Sequence, residues 1–270
     1  MAVRFSPELR RWMLHNLERG CDPADLVRSM VENRFEPEVA RGLVDAFVEA
    51  RRTGAPLPQT EVALETSTVR VLARSERPVL AVLEGVLSAD ECDRLVALAR
   101  PRLRPSTVVD PESGKDTVAA YRDSEGMFFR PQENEFIARL DRRLSELMNW
   151  PIENGEGLQV LRYGPGAKSE PHFDFLAPSN AANRESIERS GQRVSTLVIY
   201  LNDVARGGET LFPNVGLSVS PKKGNAVYFE YSNSRGELDQ DSLHAGGAVL
   251  EGEKWAATKW MRERRFVSAS

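Results

Sequence analysis

The chain is sparing with histidine, holding three in 270 residues, and one of them stands in RYGPGAKSEPHFDF with an aspartate two positions on. Residues at i and i+2 of a strand point to the same side, so His172 and Asp174 can reach one point together. An imidazole and a carboxylate that converge in this way supply two of the ligands a divalent metal takes. A third has to come from elsewhere. His15 lies in an N-terminal helical pattern with no second ligand type beside it, which leaves His244, in DSLHAGG. The HxD pair alone is a weak signal, because a histidine among aromatic residues is more often a hydrogen-bonded core residue.

The continuation past His244 strengthens it. In HAGGAVLEGEKWAATKWM, Lys254 opens an apolar strand on which Lys254, Ala256, Thr258 and Trp260 share a face. A lysine directed inward costs several kcal/mol unless it meets an anion. That strand offers no acidic partner, so a ligand carboxylate held by a charge-assisted hydrogen bond is expected. Two histidines and one carboxylate that leave open positions on one side form the facial triad of non-haem Fe(II) oxygenases.

Two kinds of element have to carry these residues. Residues 1–52 read as a bundle of three short helices, in which Ser6 can cap the first. Leu9, Trp12, Met13 and Leu17 form one stripe; Leu26, Val27, Met30 and Val31 a second; Val39, Leu43 and Phe47 a third. Residues 53–67, with RRTGAPLPQT, read as a linker. From residue 68 to 270 the texture changes to strands, with SADECDRLVALARPRL and NEFIARLDRRLSELMNW as helices, the latter facing Phe136, Ile137, Leu140, Leu144 and Leu147 inward. Many short strands parted by glycine and proline turns predict a sandwich or barrel with helices on one side. The polar stretch Leu176–Gln192, directly after the ligand segment, is expected to be a mobile loop near the entrance.

Composition bounds the partners. With 36 Lys and Arg against 40 Asp and Glu the net charge is -4, which argues against nucleic acid. No stretch reaches the ~20 apolar residues of a membrane span, and the N-terminus lacks the apolar run of a signal peptide. The two cysteines, Cys21 and Cys92, are too few for a disulfide framework. A cytoplasmic protein is expected.

With these residues in view the chain resembles the prolyl 4-hydroxylase family of Fe(II)- and 2-oxoglutarate-dependent dioxygenases. The resemblance runs from about Arg77 to Phe266, through RPVLAVLEGVLSADECDRLVALARPRL, STVVDPESGKDTVAAYRDSEGMFF, the HFD motif, GQRVSTLVIYLNDVARGGETLFP and HAGGAVLEGEKWAATKW. It implies a double-stranded β-helix, a cupin-like jelly-roll barrel with supporting helices. By position, His172, Asp174 and His244 match the iron ligands. Lys254, ten residues after His244, matches the residue that binds the distal carboxylate of 2-oxoglutarate; Tyr163 and Thr210 match residues that help hold it. Arg193 and Trp260 match positions near the substrate entrance. The resemblance implies Fe(II), the cosubstrates 2-oxoglutarate and dioxygen, and ascorbate. One departure stands out: such enzymes usually carry tyrosine three residues before the first ligand histidine, where this chain has Ser169, with Tyr121 and Trp255 as candidates to fill the space.

Prolyl 4-hydroxylation of a protein or peptide is therefore the first expectation, with the N-terminal helices as a possible contact for that partner. Hydroxylation of a free amino acid or other small metabolite is the alternative that Ser169 leaves open. A non-catalytic binding or scaffold protein is the third reading, which the complete ligand set disfavours.

Overall fold

A computed structural model of the protein describes residues 7–54, 60–76, 78–105, 107–109, 116–118, 124–231 and 237–268. Contacts divide the chain into two compact units: one takes the chain up to Ala63 together with Arg70–Ala73, the other Leu64–Val69 and everything from Arg74 on.

The first unit holds helices α1 (Pro7–Glu18), α2 (Pro23–Glu32) and α3 (Pro37–Thr53), each opening on a proline whose fixed φ suits a helical start. Asp22 caps α2 by accepting from the Ala24 N–H at 2.9 Å. Met13, Leu17, Leu26, Met30, Ala40, Val44 and Phe47 form one core. Val31 and Val39, expected on buried faces, are instead 37% and 40% exposed, because α2 and α3 turn the adjoining Leu26–Met30 and Ala40–Val44–Phe47 stripes inward. The expected cap at Ser6 lies outside the described residues. Within the stretch read as a linker, Glu61–Ala63 form strand β1, and residues 55–59 lie outside the described residues.

The strands that follow are β2 (Thr68–Glu76), β3 (Val79–Glu84), β4 (Arg104–Pro105), β5 (Thr107–Val109), β6 (Asp116–Val118), β7 (Ser124–Phe129), β8 (Leu158–Tyr163) and β9 (Ser169–His172). Then come β10 (Arg193–Tyr200), β11 (Arg206–Gly207), β12 (Thr210–Phe212), β13 (Leu217–Val219), β14 (Ala226–Glu230), β15 (His244–Gly246), β16 (Val249–Glu251) and β17 (Lys254–Arg262). In the second unit a major antiparallel sheet runs β3-β14-β10-β17-β8-β7-β4, and a minor one runs β13-β12-β15-β9. Side chains of both sheets line one cavity, so the expected jelly-roll encloses its site between them.

Helices α4 (Ala89–Ala99) and α5 (Glu135–Leu147) start on well-formed caps, a Ser88/Glu91 capping box and the Asn134 side chain. Helix α5 buries Phe136, Ile137, Leu140 and Leu144. It also meets the face of β17 that points away from the cavity. There the buried Lys259 Nζ lies 2.7 Å from Asp141 Oδ1 and 2.6 Å from the Glu156 carbonyl. The even-numbered residues of β17 therefore face the cavity and the odd-numbered ones the helices.

The stretch after the ligand segment, expected as a mobile loop, contains a helix. Ala181–Ser190 form helix α6, capped by Asn180, whose side chain accepts from the Asn183 N–H at 2.8 Å. Its second half is bonded to the C-terminal segment: Arg262 Nη2 donates to the Ser186 carbonyl at 2.7 Å and Arg264 Nη2 to the Glu188 carbonyl at 2.7 Å.

Candidate active site

His172 ends β9 and is the register partner of His244 at the start of β15, so antiparallel pairing places the two imidazoles side by side, 4.4 Å between ring centroids. Strand β9 stops at His172. Asp174 lies in the bend beyond, so the strand alternation expected for it does not operate there. Its carboxylate converges all the same: Oδ1 is 3.7 Å from His172 Nε2 and Oδ2 is 3.6 Å from His244 Nε2. One ligand atom from each residue falls within 4.8 Å of the others.

The hydrogen bonds orient both rings. His172 Nδ1 stands 2.9 Å from the Glu170 carbonyl, and His244 Nδ1 stands 3.0 Å from the Ser242 carbonyl. A carbonyl only accepts, so each Nδ1 donates its proton there and each Nε2 is the nitrogen that faces the Asp174 carboxylate. Phe212 and Phe229 pack about the His244 ring at centroid distances of 6.0 and 4.7 Å. Burial opposes ionisation of Asp174, but His244, His172, Arg193 and a hydrogen bond from Thr196 together hold its carboxyl well below the usual range. Two imidazole Nε2 atoms and an ionised carboxylate, all converging, fit a metal of the Fe(II) type.

Lys254, Tyr163 and Thr210 line the same cavity as the triad, with Leu161 and Val198 among the apolar walls. Lys254 and Tyr163 are register partners on β17 and β8. Lys254 Nζ lies 5.7 Å from the Tyr163 ring centroid and 5.6 Å from that of Tyr200. Among the described residues it makes no ion pair. Burial drives its pKa down to about 8, offset only in part by the charge of Glu209. A cation this buried, aimed into a cavity, calls for an anionic ligand. Thr210 Oγ1 accepts from the Tyr200 hydroxyl at 2.8 Å.

Trp260 also lines the cavity, 6.3 Å from the half-exposed Phe128. The Arg193 guanidinium lies 4.2 Å from the Trp260 ring centroid and is held bidentately by the buried Glu156, at 2.8 and 2.9 Å. A third N–H reaches the Asp174 carbonyl at 3.3 Å, so Arg193 ties Glu156 to the carboxylate ligand from behind Trp260, outside the cavity lining. Ser169 lines the cavity, and a Cβ on Gly246 would come within 3.3 Å of the Ser169 Cβ, so β9 and β15 approach closely here. Trp255 does not fill the space beside Ser169: it alternates with Lys254 and Ala256, faces away from the cavity and stacks under Arg100 at 4.8 Å. Tyr121 lies outside the described residues.

Three residues that sequence reasoning passed over belong to this constellation. Glu156 accepts from both Arg193 and Arg262, the latter at 3.0 Å. Thr196 bonds Asp174, and Tyr231 stands 3.2 Å behind Thr196. The signal for Thr196 was its place on the cavity face of β10, two residues from Val198; nothing local marked Glu156.

Comparison with known proteins converges on one family. Residues 158–262 match the 2OG-Fe(II) oxygenase superfamily. The chain is 41% identical over 246 residues to prolyl 4-hydroxylase 1 of Arabidopsis thaliana, covering 86% of this chain and 81% of that one. It is 39% identical over 212 residues to prolyl 4-hydroxylase 5 of the same plant, covering 71% of each. Among solved structures it resembles the 2OG complex of a viral collagen prolyl hydroxylase from Paramecium Bursaria Chlorella virus-1. The TM-score there is 0.53 at 31% identity, over 68% of this chain and 95% of that one.

Proposed function

We infer the reaction from the family: the protein belongs to the prolyl 4-hydroxylases of the 2OG-Fe(II) oxygenase superfamily and is an Fe(II)- and 2-oxoglutarate-dependent oxidoreductase. With both bound, the metal centre supplies the oxidative chemistry that splits 2-oxoglutarate into succinate and carbon dioxide and delivers one oxygen atom of dioxygen to a C–H bond. The chain's own residues do the holding. His172 Nε2, His244 Nε2 and Asp174 hold the iron. Lys254 takes the distal carboxylate of 2-oxoglutarate, flanked by the Tyr163 ring and the Tyr200–Thr210 hydroxyl pair. Phe212 and Phe229 keep water from the His244 side. The observation that carries this reading is the buried Lys254 cation, which makes no ion pair among the described residues, in the same cavity as two converging imidazole Nε2 atoms and an ionised carboxylate.

The substrate is a prolyl residue of a protein or peptide, hydroxylated at C4. The names of the relatives support this. So do Trp260, with the Arg193 guanidinium against its ring, and the half-exposed Phe128, which offer aromatic surface to a pyrrolidine ring. Ascorbate serves as the reductant that sustains turnover, the free thiols of Cys21 and Cys92 suit a reducing cytoplasm, and the helical unit is a candidate contact for the protein substrate. Succinate release with Fe(II), ascorbate and 2-oxoglutarate, compared between a proline-rich peptide and free proline, tests it. Peptide-dependent succinate and a gain of one oxygen on a peptide proline are expected; stimulation by free proline alone would contradict the peptide reading.

A further inference from the structure

Asp174 is the one member of the triad that no β-ladder holds, since β9 ends at His172 and its partner β15 begins at His244. The backbone groups beyond His172 therefore need other partners. A single carboxamide supplies two of them: the Leu176 N–H donates to Gln192 Oε1 at 2.6 Å, and Gln192 Nε2 donates to the Leu176 carbonyl at 2.9 Å. The neighbouring Arg193 reaches the Asp174 carbonyl. Residues 192 and 193 thus hold the backbone at and just after the carboxylate.

Gln192 is itself fixed from three directions. Its Oε1 also accepts from the Arg193 N–H at 2.9 Å, its N–H donates to Glu263 Oε2 at 2.8 Å, and its carbonyl accepts from the Glu263 N–H at 2.9 Å. The residue before it, Gly191, has a φ of 74°, and a Cβ there would sit 2.6 Å from the Glu263 Cβ. Positive φ and this close approach both demand glycine, so the chain enters Gln192 along one path. The two-point pairing closes the excursion through α6 directly behind the carboxylate ligand.

We propose that Gln192 is a positioning residue for the metal, aligning the Asp174 carboxylate through Leu176. This rests on the metal reading above. The full-length apo protein is titrated with Co(II), following the visible absorption of the bound ion and its affinity, for wild type, Gln192→Ala, Gln192→Glu and Asn183→Ala. Gln192→Glu keeps the size and the accepted bonds but loses the donor to the Leu176 carbonyl, so it stays decisive if the alanine variant fails to fold. Asn183→Ala removes a bond within the same excursion, from Asn183 Nδ2 to the Ala177 carbonyl, without touching Leu176. Both Gln192 variants are expected to bind Co(II) about tenfold or more weakly, the usual effect of losing an outer partner, with an altered absorption band. Asn183→Ala is expected within about twofold of wild type. Wild-type affinity in both Gln192 variants, or an equal loss in Asn183→Ala, overturns the inference. Absence of Co(II) binding in wild type overturns the metal reading itself.

Discussion

Thr196 Oγ1 lies 2.7 Å from Asp174 Oδ2, joining residues 22 positions apart. An ionised carboxylate only accepts, so the threonine proton is committed to it and the Tyr231 hydroxyl, 3.2 Å away, must be the donor to Thr196. Thr196→Val keeps the shape and removes both bonds. The Asp174 carboxyl then rises toward its ordinary range, metal affinity falls about tenfold, and the stranded Tyr231 hydroxyl costs about 1–3 kcal/mol of stability. Metal titration and thermal melting check the two effects separately, and Thr196→Ser should restore both.

Lys254 trades stability for ligand binding. Its pKa is lowered by burial to about 8 from an ordinary 10.5, so between those values the unfolded chain binds more protons and stability rises with pH; below about 8 the penalty is complete. Lys254→Met should therefore be more stable than wild type near pH 7 in denaturant unfolding, by up to about 3 kcal/mol. It should also bind 2-oxoglutarate about 30-fold or more weakly.

The same lysine sets a pH dependence. 2-Oxoglutarate needs it protonated, so binding at pH 8 takes up about half a proton on average, and affinity falls toward about tenfold per pH unit above that value. Calorimetry in two buffers of different ionisation enthalpy reads the uptake, and a flat affinity from pH 7 to 10 would count against Lys254 as the carboxylate's partner.

Glu156 neutralises two arginines at once, Arg193 at 2.8 Å and Arg262 at 3.0 Å. Glu156→Gln leaves both cations facing each other with little solvent. Denaturant unfolding should show a loss of about 3–5 kcal/mol.

His172→Ala should abolish metal retention and turnover while leaving the far-UV circular dichroism unchanged, since the ring packs at the rim of the cavity with a third of its side chain exposed. Retained turnover would remove His172 from the ligand set.

Regular elements made much of this legible. β17 is long and unbroken, so period-two alternation correctly put Lys254, Ala256, Thr258 and Trp260 on one cavity-lining face. The same alternation failed for Asp174 because β9 stops before it, yet the carboxylate reaches the histidines through a bend held by side chains. Helix α6 escaped notice because AANRESIERS is polar on nearly every face and shows no apolar stripe. Glu156 and Gln192 act through bonds to residues 37 and 16 positions away, pairings that composition and local spacing do not encode.

The most direct test is anomalous diffraction from crystals grown with Mn(II) and 2-oxoglutarate. A single strong peak bonded to His172 Nε2, His244 Nε2 and Asp174 is expected, with the distal carboxylate about 2.8 Å from Lys254 Nζ. A peak elsewhere, or a 2-oxoglutarate whose distal carboxylate turns away from Lys254, would contradict the assignment.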